Sequence, residues 1–178
     1  MEIFFENVIL RPWSVHDANE LAIIADNKKV ADNLRDGFSY PYSLKDAVDW
    51  LNIIIPENNP PRFFAIISDK QLVGSIGIVT KSDIYRKNFE IGYFLAESHW
   101  GKGIATRAIK AATSYAFKDF DIVRIYAEPF ADNPGSRRAL EKAGYTLEAT
   151  LKRNVIKNEI VKDSCIYSVL REDFKYYI

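Results

Sequence analysis

Hydrophobic positions along this chain follow two spacings, and the switches between them mark out the elements. "NVILRPW" (7–13) reads as a strand ended by Pro12. From 14 to 27 the spacing lengthens. Leu21, Ile24 and Ala25 share a helix face, with Ser14 and Asp17 at capping-box spacing. Residues 30–43 are aromatic and turn-rich around Gly37 and Pro41. A second helix is predicted over 43–55, capped by Ser43 with Asp46 three residues on, and facing inward with Ala47, Trp50, Leu51 and Ile54. After the loop "PENNPP", residues 62–68 and 71–79 read as strands joined by a tight turn at Asp69 and Lys70. "NFEIGYFLA" (88–96) is a further strand. Ile104, Ala105, Ala108, Ile109, Ala112, Tyr115 and Ala116 then recur at helical spacing. A strand at 121–129, a short helix at 134–144 and a hairpin turning near Lys157-Asn158 complete the chain.

A strand–helix–strand unit in the middle needs a parallel crossover. Hairpins elsewhere make the sheet mixed, so the class is α/β or, more closely, α+β. No repeat or linker divides residues 1–178, and one domain is expected.

Composition narrows the function. The 178 residues are 48% hydrophobic, enough for an ordinary core. The formal net charge of +0 argues against DNA or other non-specific nucleic-acid binding. A single cysteine, Cys165, excludes an intrachain disulfide and suits a reducing compartment. His16 and His99 are too isolated for a metal site. No leader-like start or membrane-length apolar run is present, so the expectation is a cytoplasmic protein with no membrane partner.

The chemistry concentrates at "HWGKGIATRAIK" (99–110), a strand-to-helix junction. A helix N-terminus presents unpaired N–H groups to an anion, and glycines let the backbone approach closely. The nucleoside-triphosphate loop pattern fails here on spacing. The dinucleotide pattern fails because Thr106 stands where its third glycine would be. A simple turn remains the alternative.

The flanks add to this. "EIGYFLAESHWGKGIATRAI" followed by "ADNPGSRRALEKAGY" resembles the GNAT superfamily of acyl-CoA N-acyltransferases. The branch it resembles most contains the ribosomal-protein N-terminal acetyltransferases. The pyrophosphate motif falls on Trp100, Gly101, Lys102, Gly103, Ile104 and Ala105, with Trp100 in place of the wider family's Arg or Gln, a variant associated with this branch. The second motif falls on Asn133, Ser136 and Gly144-Tyr145. "NVILRPW", "YPYSLKDAVDWL" and "YSVLREDF" also fit, so the resemblance spans essentially the whole chain.

The resemblance implies a mixed, mostly antiparallel sheet of about six to seven strands with helices on both faces. Its central parallel pair splays around the cofactor, and the strand before the loop carries a bulge. It implies acetyl-CoA as cofactor and direct transfer to a primary amine, either a protein N-terminus or a small molecule, with no acyl-enzyme. Phe94 and Leu95 would pair with the pantetheine arm, and a Leu95 N–H would meet the developing oxyanion. N–H groups from Gly101 through Thr106 would take the diphosphate. Asn133 would contact the arm, although it is also a good N-cap ahead of Pro134.

Glu90 is the first candidate for the base, its pKa expected to rise toward neutrality on burial. The alternative is a Glu paired with a nearby cation. Glu128 is the rival base. Ser136 is the candidate acid for the thiolate, because Leu140 stands where the family often has Tyr. That departure leaves a second reading open, a non-catalytic acyl-CoA-binding or partner-binding module. Asn33, Arg35, Tyr40, Asp163 and Tyr167 are candidates for the acceptor site, with packing as the alternative for the aromatic residues. Family dimers exist, so a homodimer is compatible with the chain.

Overall fold

The structure is a computed structural model that describes residues 1–176. One eight-stranded sheet runs through it in the order β1-β2-β3-β4-β5-β6-β8-β7. The strands are β1 (Ile3–Phe5), β2 (Val8–Pro12), β3 (Phe63–Ser68), β4 (Gln71–Thr80), β5 (Asn88–Leu95), β6 (Arg124–Ala127), β7 (Thr146–Lys157) and β8 (Ile160–Leu170). The helices are α1 (Ala18–Ala25), α2 (Lys28–Ala31), α3 (Leu44–Ile54), α4 (Ile104–Asp119) and α5 (Pro134–Lys142). Neighbouring strands are antiparallel except β5 and β6, which are joined through α4 as the crossover requires.

Local details differ from the sequence reading. β1 adds a strand that three residues are too short to announce by periodicity. The helix expected over 14–27 forms as a short 3-10 turn at Val15–Asp17 followed by α1, and Asn27, accepting from Lys29 N (2.9 Å) and Val30 N (3.2 Å), caps an additional helix, α2, that the sequence reading did not contain. The capping boxes at Ser14–Asp17 and Ser43–Asp46 both form. The tight turns place Asp69 and Lys70, and Asn158 and Glu159, at positive φ. Paired positive φ values match the twist of the flanking strands. The second turn therefore falls one residue later than expected.

Alternation along the strands divides the core in two. Phe64, Ile66, Ile76, Ile78, Phe89 and Ile91 pack with Ala108, Ile109, Ala112 and Phe117 of α4 and Leu140 of α5. On the opposite face Ala65 and Leu72 meet Leu21 and Ala25 of α1 and Ala47, Leu51 and Ile54 of α3. Trp50 closes this second core edge-on against Trp13, with ring centroids 5.4 Å apart.

The sheet opens at its centre. β5 and β6 pair only at Asn88↔Arg124, Phe89↔Ile125 and Glu90↔Tyr126. Beyond Glu90, β5 stays with β4 as far as Gly74↔Leu95. The chain after β6 instead follows β8, with Cys165 N donating to Pro129 O (2.9 Å) and Ala131 N to Asp163 O (2.9 Å). The gap between them is a property of two competing pairings. The bulge expected in β5 is absent, for its register with β4 advances one for one. The irregularity lies one strand away, where Ile66 pairs with Gly74 and Ile67 with Leu72, leaving Val73 unmatched.

Candidate active site

A cleft of about 1570 Å³ runs from the start of α4 through the gap to the loop around residues 33–39. One end is the glycine loop. Gly101 and Gly103 hold φ of +75° and +73°, a region that costs an L-residue roughly 1–2 kcal/mol. Gly103 is the N-cap of α4, and no side chain caps that helix. The first helical backbone bond is Arg107 N to Gly103 O (3.2 Å). The N–H groups of Ile104, Ala105 and Thr106 thus precede the ladder and line the cleft. No acidic residue occupies the first turn. An uncapped sixteen-residue helix with this loop fits a diphosphate.

The middle of the cleft is the exposed edge of β5. Ala96 N donates to Val73 O of β4 (2.9 Å). Backbone groups alternate sides along a strand, so those of Leu95 face the gap. Its carbonyl accepts from Trp100 Nε1 (2.9 Å), and its N–H faces the same way. Across the gap, Asn133 caps α5 by accepting from Ser136 N (3.1 Å), so its cap role is real. Ser136 Oγ lies 2.8 Å from the Tyr93 hydroxyl. Burial pushes the Tyr93 phenol up to about 12, the Ser136 bond opposing it, so Tyr93 stays protonated at neutral pH. Tyr93 was not a site candidate from sequence, because its partner Ser136 lies 43 residues away and only the fold brings the two together.

The far end holds both candidate bases. Glu90 is almost fully buried and accepts from Lys81 Nζ (2.7 Å), Tyr126 Oη (3.2 Å) and an Arg35 guanidinium nitrogen. Burial pushes its carboxyl up, but the Lys81 hydrogen bond, Arg35 and Tyr126 together outweigh it. The net pKa is below the ordinary glutamate value. The expected rise toward neutrality is therefore overturned: the ion-paired alternative describes this residue. Glu128 accepts from Ser164 Oγ (2.8 Å) and Asn154 Nδ2 (2.9 Å), both neutral. The same Arg35 nitrogen that reaches Glu90 lies 4.0 Å from Glu128 Oε2.

Of the acceptor candidates, Asn33 and Arg35 line the cleft. Tyr40 does not; it is 51% exposed on the outside of the loop, while Phe38 and Tyr42 turn inward. Asp163 caps the irregular part of β7 instead, accepting from Arg153 N (2.8 Å) and Lys152 Nζ (2.8 Å). Tyr167 is fully buried on the α5 side, donating to Glu141 (2.7 Å) and accepting from Arg137 Nε (3.2 Å). Tyr167, offered as an acceptor residue by family likeness, thus packs in the core on the α4 and α5 face and does not line the cleft. Lys102 is not among the residues lining the cleft, and its carbonyl accepts from Arg107 (2.9 Å).

A splayed parallel pair, with an uncapped helix start at one end and carboxylates at the other, is an arrangement that fits an acyl-CoA and an amine. A family model described as "Acetyltransferase (GNAT) domain" matches residues 7–146, and the chain belongs to that family of N-acetyltransferases. It is 29% identical over 176 residues to the "Probable N-acetyltransferase YjcK" of Bacillus subtilis, covering 94% of this chain and 96% of that one. Two solved structures share the fold. A RimL ribosomal L7/L12 alpha-N-protein acetyltransferase in complex with coenzyme A superposes with a TM-score of 0.85 at 21% identity, covering 96% of this chain and 98% of its own. A spermidine N-acetyltransferase from Vibrio cholerae, in complex with CoA and spermine, does so at 0.78 and 22%, covering 94% and 97%.

Proposed function

We propose that this enzyme moves an acetyl group from acetyl-CoA directly to a primary amine, with Glu128 as the proton acceptor. The observation that carries the reading is the gap itself. It joins an uncapped helix N-terminus, an inward-facing Leu95 N–H and two carboxylates in one continuous cleft.

Acetyl-CoA, when bound, supplies the acetyl group as a thioester. The N–H groups from Gly101 through Thr106 would hold its diphosphate, and Phe94, Leu95 and Asn133 would flank its arm. The Leu95 N–H is a fixed donor for negative charge developing on an acyl oxygen. A protonated amine has no lone pair, so the acceptor must lose a proton before or during attack. Glu90 is a weak base in this setting, because Lys81 and Arg35 stabilise its ionised form. Glu128 takes its hydrogen bonds from neutral donors, has Arg35 only at 4.0 Å, and keeps a side chain 22% exposed, which lets an amine or a bridging water reach it. Ser136, with the Tyr93 hydroxyl behind it, is placed to return a proton to the leaving side of the gap. The acceptor class, a protein N-terminus or a small amine, follows the spread among relatives, which includes ribosomal-protein and spermidine acetyltransferases.

Thiol release from acetyl-CoA against N-terminal peptides and polyamines tests the activity. Glu128→Gln should reduce turnover far more than Glu90→Gln. The reverse order makes Glu90 the base. Gly103→Glu should abolish coenzyme A binding, since it strains the loop and sets a carboxylate against phosphate; unchanged affinity overturns the diphosphate assignment.

A further inference from the structure

We propose that Trp100 is a positioning residue whose indole clamps the end of β5 to the glycine loop, fixing the distance between the two halves of the coenzyme site. The inference rests on the acetyl-CoA reading above.

The residue stands where the family motif carries Arg or Gln, side chains with several donors that can reach a phosphate. An indole has one N–H and no acceptor. Here that single donor points backwards, to Leu95 O at 2.9 Å, and none remains for a ligand. The carbonyl it meets faces the gap, because Ala96 N–H is turned to Val73 of β4. A strand-end carbonyl in that position requires a partner from outside its sheet neighbour.

The local chain path makes the contact. His99 N donates to Ala96 O (2.9 Å) and Trp100 N to Glu97 O (3.1 Å), a tight turn that folds Trp100 back beside Leu95. On the outer side this turn is held to the start of α2 by Asn27 Nδ2 to Glu97 (2.9 Å). Trp100 then leads straight into Gly101 and Gly103 at positive φ and into α4. The clamp therefore joins the strand edge that takes the arm to the helix start that takes the diphosphate. It also gives the Leu95 carbonyl a partner within the protein, while the Leu95 N–H beside it is left for a ligand.

A ligand that spans both halves feels their separation, and a ligand that uses one half does not. The test compares coenzyme A with ADP by calorimetry on two variants. Trp100→Phe keeps a ring and loses the donor. Replacing Trp100 with β-(3-benzothienyl)alanine exchanges the N–H for sulfur at nearly constant shape and decides the matter if Trp100→Phe does not fold. The expected result is coenzyme A binding weakened roughly five- to tenfold in both variants, with ADP affinity within about twofold of the parent. Unchanged coenzyme A affinity in the benzothienyl variant overturns the clamp. An equal loss for ADP overturns the coupling and makes Trp100 part of the diphosphate site alone. Failure of the parent protein to bind coenzyme A would sink the underlying reading instead, so the two failures are distinguishable.

Discussion

Gly74→Ala should damage the active site from outside the cleft. Gly74 sits on β4 opposite Leu95. A Cβ built there lies 2.2 Å from Phe94 O, 2.8 Å from Leu95 Cδ2 and 3.1 Å from Leu95 Cα. Two of those atoms are backbone, so no rotamer change relieves them. Ordinary contact begins at 3.4 Å, so the end of β5 must move by about 1 Å. Overpacking of this kind costs about 1–3 kcal/mol, and the backbone character of the clash points to the upper end. The displaced residues are the ones that face the gap. A misplacement of about 1 Å can lower a rate by around 100-fold. Urea denaturation measures the stability loss, and calorimetric titration with coenzyme A measures the site. Gly92→Ala is the control for stability alone, since nothing lies within 4 Å of its Cβ position and its φ is not positive, while the residue itself lines the cleft. If Gly74→Ala matches the parent in stability and coenzyme A affinity, the close approach of β4 to β5 is not what positions Leu95.

Glu90 and Tyr167 carry the remaining predictions. The Glu90 carboxyl lies below its ordinary value of 4.5 when folded, so its ion pairs stabilise the protein fully above that pH and are lost as pH falls through the depressed value. Urea midpoints measured down the acid range should therefore fall less steeply for Glu90→Gln than for the parent; an identical acid dependence contradicts the ion-paired description. Tyr167→Phe removes bonds to Glu141 and Arg137 in the core and should cost about 1–2 kcal/mol, leaving the KM for the amine unchanged. A raised KM at unchanged stability would restore Tyr167 to the acceptor site.

Much of the architecture was legible in the sequence because it is locally encoded. Capping boxes at Ser14 and Ser43, the periodicity of α4 and the turn at Asp69-Lys70 depend on residues a few positions apart. The glycine loop is local too, since positive φ at 101 and 103 is a demand that glycine meets without strain. Glu90 was correctly found as a carboxylate on an apolar strand. Which of its two readings holds, raised by burial or paired with cations, was left open, because Arg35 lies 55 residues away and Tyr126 lies 36 away, and only the fold brings them to it. Asp163 and Tyr167 show the same limit. Both were placed by likeness to family positions on the last strand, and likeness does not say whether a position meets the cleft, the α5 core or an irregular neighbour strand. The gap was implied by family likeness. Its cause is tertiary: β5 follows β4 while the chain after β6 follows β8, and two antiparallel pairings pull a parallel pair apart.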